Sequence, residues 1–384
     1  LGDTLTESNR ELDLNLNHVA PLPKRTDFGI GAVGAGFIMR DAQLKAYTNA
    51  GFKVAGITSR TPEIAREIVD LYAIPKLYDT LDEMLRDPEI EILDIAVPPD
   101  RQLEIVRKAV ESGPYLKGIL AQKPLAVHYQ QAAEIVDLCA RRGLPLAVNQ
   151  NMRYDQSIRA LKTILDRGYL GTPVLATIEM RAVPHWQAWL RDYQRLTLLN
   201  MSVHHIDTFR YLFGEPEAIF VSARKDPRTR FPHEDGICLY ILEYDDGFRA
   251  TAWDDIWTGP RTAQDDLSPY IKWRVEGTEG LAEGTIGWPH YPNRTPSTLT
   301  FTSTRQPNVW ITPRWNEVWF PDAFLGPMGE IMSAICSGQE PLTNGADNLK
   351  TMAIIEAGYQ SLRERRSVPI AEVLQSYSQE RKIY

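Results

Sequence analysis

The sequence predicts an α/β protein in two parts: a parallel, doubly wound sheet, then an α/β unit built on a large open, mostly antiparallel sheet. Three observations carry this. From Phe28 short β-branched runs alternate with helical stretches, the pattern of βαβ units. A glycine-rich turn, "GIGAVGAG", joins the first run to the first helix. Near residue 150 the rhythm changes to long β-type runs with a hairpin signal.

Residues 1–25 are polar, lack sustained periodicity and end in Pro-x-Pro, so they read as an extended arm ahead of the first domain, able to lie on a neighbouring subunit. The first domain spans 26–149. Its expected strands are 27–33, 52–58, 91–97, 115–121 and 145–149. Between them, Leu103, Val106 and Val110, and then Ala132, Ile135, Val136 and Cys139, recur at helical spacing, so each helix lays one face on the sheet. The second domain spans 150–384. It opens with a helix near 154–167, closed by Gly168 and Gly171, and continues in β-type runs at 172–183, 217–225, 236–245, 248–257 and 269–276. The "DDG" at 245–247 joins two of these runs. A helix near 346–365 presents Leu349, Met352, Ala353, Ile355 and Leu362 on one face. Trp253, Trp257 and Trp273 read as interface or core residues of the sheet.

Composition excludes several classes. With 50 acidic and 42 basic side chains the net charge is -8, which offers no polycationic surface to nucleic acid. Cys139, Cys238 and Cys336 are far apart and odd in number, arguing against a disulfide framework and for a reducing, cytoplasmic setting. No apolar run reaches the ~18 residues of a membrane span, and no signal-peptide pattern opens the chain, although it begins at Leu1. The seven histidines form no metal-binding spacing, adjacent His204 and His205 cannot face one ion on a helix, and no G-x-S-x-G elbow occurs. No metal is expected.

The stretch "GIGAVGAGFIMRDAQLKAY" follows a strand and opens a helix, the context of a Rossmann dinucleotide fingerprint. Gly34 and Gly36 supply the tight turn and bare backbone, and Phe37 and Ile38 begin the helix whose N-terminus favours a pyrophosphate. Met39 replaces the third glycine, so the helix is either pushed off the strand or the side chain is absorbed by slack in the packing. Cofactor choice is read at the end of the second strand, where a carboxylate would bond the adenosine ribose of NAD. Here stand Ser59 and Arg60, which favours NADP, with NAD as the alternative.

Three further stretches, "AVPPDRQLEIVRKAV", "AQKPLAV" and "LLNMSVHHIDTFRYLFG", join this fingerprint in an ordered set. The set, with "VEGTEGLAEG" and the closing "PLTNGADNLKTMAIIEAGYQSLRERRSVPI", resembles the Gfo/Idh/MocA family, named for glucose-fructose oxidoreductase, inositol dehydrogenase and a rhizopine-catabolism protein. The resemblance runs from about residue 27 to 371. It implies a Rossmann domain, an open-sheet domain whose face often joins subunits into a dimer or tetramer, and a substrate cleft between them. The family's Glu-Lys-Pro motif maps onto Gln122, Lys123 and Pro124, its Asp-x-x-x-His pair onto Asn200 and His204, and its nicotinamide-side proline loop onto Pro98 and Pro99.

The chemistry explains these residue types. Oxidising a secondary alcohol develops negative charge on oxygen, which an ammonium such as Lys123 stabilises in a water-poor cleft. Pro124 stiffens the backbone that aims it. His204 is the natural proton acceptor, because imidazole titrates near neutral pH, and Asn200 falls on its helical face if the segment is one helix. Two neutral residues, Gln122 and Asn200, replace family carboxylates, which lowers the proton affinity expected of Lys123 and His204. Asn149, Gln150, Arg153 and Tyr154, at the last Rossmann strand, and His185 and Trp186, ahead of Asn200, are the expected substrate contacts. The reading is an NAD(P)-dependent dehydrogenase of a sugar, polyol or glycoside. Its alternatives are a redox-assisted glycosidase or lyase that retains its cofactor, and a dinucleotide or sugar sensor without catalysis.

Overall fold

The computed structural model describes residues 12–181, 188–256, 270–287 and 293–380. Six parallel strands form the first sheet: β1 (Ile30–Val33), β2 (Val54–Thr58), β3 (Leu77–Tyr78), β4 (Ile92–Ile95), β5 (Gly118–Ala121) and β6 (Leu146–Val148), ordered β3-β2-β1-β4-β5-β6. Every residue of β1, β4, β5 and β6 is buried. Such strands lie under helices on both faces, so their sequences run apolar without alternating. The helices are α1 (Leu44–Ala50), α2 (Pro62–Tyr72), α3 (Leu81–Leu85), α4 (Pro99–Ser112) and α5 (Tyr129–Arg142). Side chains of α1 and α2 pack into one core cluster and those of α3, α4 and α5 into another. The strand order reverses between β1 and β4, and the carboxyl ends at such a reversal are where these sheets bind ligands. All five expected strands are present; β3 is an added edge strand of two residues, too short to leave a pattern.

The helix after the glycine turn begins as a π-helix over Ile38–Gln43, with the Leu44 N–H donating to the Met39 carbonyl. Met39 is fully buried. A π-turn is wider than an α-turn, so a side chain standing where close packing favours glycine is accommodated by local winding. Gln43 and Tyr47 then donate to Asp94 of β4 at 2.7 and 2.8 Å, tying this opening to the sheet.

The second domain starts with a 3₁₀ segment, Asn151–Tyr154, and continues through α6 (Gln156–Asp166), β7 (Pro173–Arg181), α7 (Thr197–Asn200), α8 (Ser202–Phe213), β8 (Ala218–Arg224), β9 (Ile237–Glu243), β10 (Arg249–Asp255), β11 (Tyr270–Gly277), β12 (Gly280–Ile286), β13 (Thr298–Ser303), β14 (Gln306–Ile311), α9 (Leu325–Ser337), α10 (Gly345–Glu364), β15 (Val368–Pro369) and α11 (Ile370–Glu380). The strands form one nine-stranded sheet, β14-β13-β12-β11-β7-β10-β9-β8-β15. Its pairs are antiparallel except β7 with β10. Gly168 and Gly171 both take left-handed backbone after α6. The strands alternate: Tyr240, Leu242, Ala250, Ala252 and Trp273 are buried, whereas Leu239, Ile241 and Trp253 are exposed. Trp273 is therefore a core residue, its indole N–H reaching the Ser157 hydroxyl at 3.2 Å, and Trp253 lies on the outer face. Trp257 falls outside the described residues.

Two features add to the sequence reading. Residues 12–16 of the arm pack on this chain's second domain: Leu12 and Leu16 are buried, Thr163 of α6 donates to the Leu16 carbonyl at 2.8 Å, and Asp13 N–H donates to the Tyr169 hydroxyl at 3.0 Å. And the second domain returns to the first sheet through α9, whose Met328, Ile331 and Met332 join the core around Ile30, Ile57 and Leu120.

Candidate active site

The glycine turn at the end of β1 is shaped for close approach. Gly34 has φ +107°, and a Cβ there would lie 2.4 Å from the Ala96 carbonyl oxygen, so no side chain fits. At Gly36 a Cβ would meet nothing within 4 Å. Bare backbone facing open space, ahead of a helix N-terminus, fits the pyrophosphate of a dinucleotide. Phe37 beside it stacks on Phe320, ring centroids 6.2 Å apart, and Ile38 begins the π-turn. At the end of β2 the Ser59 hydroxyl accepts from the Thr61 N–H at 3.1 Å, and Arg60 is exposed. Pro98 and Pro99 open α4 at the end of β4.

Lys123 sits one residue beyond Gln122 at the end of β5, on a cis peptide to Pro124. A side chain absent from the sequence reading holds this turn. Gln102 of α4, fully buried, donates to the carbonyls of Gln122, Pro124 and Leu125 at 2.9, 2.9 and 3.1 Å and accepts from the Gln122 N–H at 2.7 Å. Its signal was available: Gln102, Val106 and Ala109 share one helical face, and a lone amide on an otherwise apolar face needs partners.

The Asn200–His204 pair does not lie on one helix. The chain breaks at Met201, between α7 and α8, and the His204 N–H donates to the Met201 carbonyl at 3.0 Å. Asn200 therefore offers its carbonyl, rather than its amide, to the Lys123 ammonium at 2.8 Å. His204 packs edge-on against Trp319, ring centroids 5.7 Å apart, and the Trp319 indole N–H donates to the Asn151 side-chain oxygen at 2.9 Å. Neither Trp319 nor Asn151 was anticipated; their roles depend on contacts across about 170 residues of chain, which no local pattern reveals.

Burial moves the proton affinities of both central groups. With no carboxylate beside it, Lys123 is pushed down to about 7 by desolvation. His204 is pushed well below its ordinary 6.5 by burial and then by the charge of Lys123. Burial thus moves both groups in the same direction: near neutral pH Lys123 changes protonation, and His204 is held toward its neutral, proton-accepting form.

The amides at the strand ends carry unmet hydrogen-bonding capacity. Among the described residues the side-chain nitrogens of Gln122 and Asn149, both polar ends of Gln150, and Nδ1 of His204 are buried without partners. Such groups are costly unless something fills them. Arg153 is placed otherwise. Its guanidinium is 4% exposed and makes paired bonds to Asp207 at 2.6 and 2.7 Å, with a further bond to Asp347 at 2.6 Å. It ties the 3₁₀ segment to α8 and α10 and has no face left for a substrate. Tyr154 seats its ring where a Cβ on Gly326 would fall 2.2 Å away, and its hydroxyl is also buried without a partner. His185 and Trp186 lie outside the described residues. Among the described residues no helix is long and apolar enough to cross a membrane, and no cluster of three His, Cys, Asp or Glu is placed to hold a metal.

Comparison with known proteins agrees with this geometry. Residues 28–150 match the family model described as an oxidoreductase family with an NAD-binding Rossmann fold, and residues 158–283 match the GFO/IDH/MocA C-terminal domain. The chain is 27% identical to a D-apiose dehydrogenase of Paraburkholderia graminis, covering 88% of each. It is 25% identical to the D-apiose dehydrogenase of Rhizobium rhizogenes, over 89% of this chain and 97% of that one. An oxidoreductase structure from Agrobacterium radiobacter, in complex with NAD+, L-tartaric acid and magnesium, superposes with TM-score 0.76 at 23% identity, covering 90% of this chain and 99% of that one.

Proposed function

The chain belongs to the Gfo/Idh/MocA family of oxidoreductases, and from that premise we propose that it moves hydride between a nicotinamide dinucleotide and a secondary hydroxyl, or the matching ketone, of a sugar, polyol or glycoside. The observation that carries this reading is the Lys123 ammonium held on the Asn200 carbonyl, with unpartnered buried polar atoms of His204 and of the amides at the carboxyl ends of β5 and β6. The named relatives support a sugar, with apiose the first compound to try.

Gly34, Gly36, Phe37, Ile38, Pro98 and Pro99 would hold the dinucleotide, with Ser59 and Arg60 toward its adenosine end. A bound nicotinamide supplies the acceptor or donor of hydride. The chain supplies the rest. Lys123, as an ammonium, stabilises charge on the substrate oxygen; as a free amine it takes that oxygen's proton, with neutral His204 lining the transfer path. A group titrating at about 7 serves both directions, since each protonation state is well populated at neutral pH. Asn149 and Gln150 bond further hydroxyls. We propose NADP as the cofactor, because Arg60 can neutralise a 2′-phosphate and no carboxylate stands there to repel one; the NAD+ in the Agrobacterium structure favours the alternative. We also propose that the outer face of the nine-stranded sheet joins copies of the chain.

The test is titration of NADP(H) and NAD(H) into the protein, then a panel of sugars and polyols scored by nicotinamide absorbance, with Lys123→Ala alongside. Failure to bind either dinucleotide overturns the proposal. Binding without any reduction across the panel favours a sensor.

A further inference from the structure

We propose that Gln102 is a positioning residue for Lys123, acting through the backbone of the Gln122–Leu125 turn; its consequence for turnover rests on the oxidoreductase reading above. The turn lies beyond the last paired residue of β5, where the sheet no longer satisfies backbone groups. Gln102 replaces most of that ladder. Its two amide hydrogens are shared among three carbonyls, and its oxygen takes the Gln122 N–H, all within 3.1 Å.

These bonds bracket Lys123 on both sides, at residues 122, 124 and 125. A second set completes the frame: the Lys123 N–H donates to the Gln122 side-chain oxygen at 3.0 Å, and the ammonium to Asn200 at 2.8 Å. The lysine thus leaves a turn whose backbone is fixed from the α4 side and reaches a carbonyl fixed from the α7 side. Without Gln102, three buried carbonyls lose their donor. The turn must then move toward water or other donors, and the lysine moves with it. Gln102 is fully buried and its amide is engaged by the turn, so its effect should fall on turnover and on Lys123 itself.

The experiment uses Gln102→Met, which keeps length and volume but removes every bond, and Gln102→Glu, which keeps the shape and loses the donors. The proton midpoint of Lys123 is read by competitive amine labelling across pH, which needs no substrate. Turnover is read with the best panel substrate. Expected for Gln102→Met are a kcat loss of roughly 10- to 100-fold, dinucleotide affinity within about twofold, and a rise of about one pH unit in the Lys123 midpoint as water enters. In a Lys123→Ala background the same change should add no further loss. Gln102→Leu, which also removes every bond and adds no charge, provides the same readouts if the methionine variant does not fold; Gln102→Glu is read by turnover alone, because its own charge would raise the Lys123 midpoint wherever the turn lies. A folded variant with unchanged midpoint and kcat overturns the inference, as does a loss confined to dinucleotide affinity. If no sugar turns over but the midpoint still moves, the oxidoreductase reading falls and the positioning role stands.

Discussion

The ammonium of Lys123 lies 2.8 Å from the Asn200 carbonyl oxygen, which the helix itself has released. In an unbroken helix that oxygen would accept the His204 N–H four residues on. The break at Met201 hands this N–H to the Met201 carbonyl at 3.0 Å, leaving the Asn200 oxygen for the lysine. One irregularity in the second domain thereby fixes the distal end of a side chain delivered by the first. A carbonyl is a dipole rather than a charge, so it orients the ammonium without strongly favouring its protonated form.

The pH dependence follows with opposite signs for the two directions. Lys123 has its midpoint at about 7; below it the group holds a proton, above it the amine is free. Oxidation needs an acceptor, so its kcat should rise with pH through about 7. Reduction needs a donor, so its kcat should fall through the same midpoint. Burial holds the proton affinity of His204 well below its ordinary value, so the profile near neutral pH is assigned to Lys123. Rates at saturating dinucleotide in both directions check this; two parallel profiles, or a midpoint near that of ordinary lysine, would refute it.

Gln122→Glu places a carboxylate beside the lysine at no cost in volume. A nearby negative charge favours the ammonium, so the Lys123 midpoint should rise by ~1–3 units. The oxidation profile should move alkaline by the same amount, with slower oxidation at pH 7. An unmoved profile would mean that Lys123 is not the group being titrated.

Arg153→Met should damage stability rather than recognition. The guanidinium is buried against Asp207 and Asp347, and removing one partner of such a pair costs about 3–5 kcal/mol because the remaining charge is stranded. Arg210 also reaches Asp347, at 2.7 Å, which argues for the lower end. A denaturant midpoint measures the loss. A selective rise in substrate KM with stability intact would return Arg153 to the substrate site.

How far the sequence reached depends on the range over which each feature is encoded. The five Rossmann strands and the α10 helix were legible because apolar period is local. So was Lys123, at a strand end followed by proline. The helix break at Met201 was not legible, since "NMSVHH" contains neither proline nor glycine, and it altered what Asn200 does. Arg153 was misread because its partners, Asp207 and Asp347, lie 54 and 194 residues away. Helix α9 was hidden by the Gly-Pro and Gly of "LGPMGE" at its start, residues that ordinarily interrupt a helix. The end of the arm could not be read at all, because its anchors on α6 are mostly backbone carbonyls.

The outer face of the nine-stranded sheet exposes Leu239, Ile241 and Trp253, from 39% to 46% accessible, on neighbouring strands. A contiguous apolar patch is costly in water unless covered. Light scattering after gel filtration should give a mass that is a multiple of the chain's, and Ile241→Glu with Trp253→Glu should reduce it. A monomeric wild type at micromolar concentration would overturn this proposal.

The proposed preference for NADP rests on Arg60. It is exposed at the end of β2, and the neighbouring Ser59 hydroxyl is engaged with Thr61 at 3.0 and 3.1 Å. Most of the discrimination available here must therefore come from the guanidinium. A phosphate accepts charge-assisted bonds from that group, whereas a ribose hydroxyl gains little from it. Arg60→Ala should weaken NADPH by ~10-fold or more, on the scale of one charged hydrogen bond, and NADH by less than about twofold. The two dissociation constants, measured by fluorescence titration at fixed ionic strength because phosphate contacts are screened by salt, decide the matter. Equal losses would mean that Arg60 contacts a part common to both dinucleotides, such as the adenine face, and the preference for NADP would then have no residue to carry it.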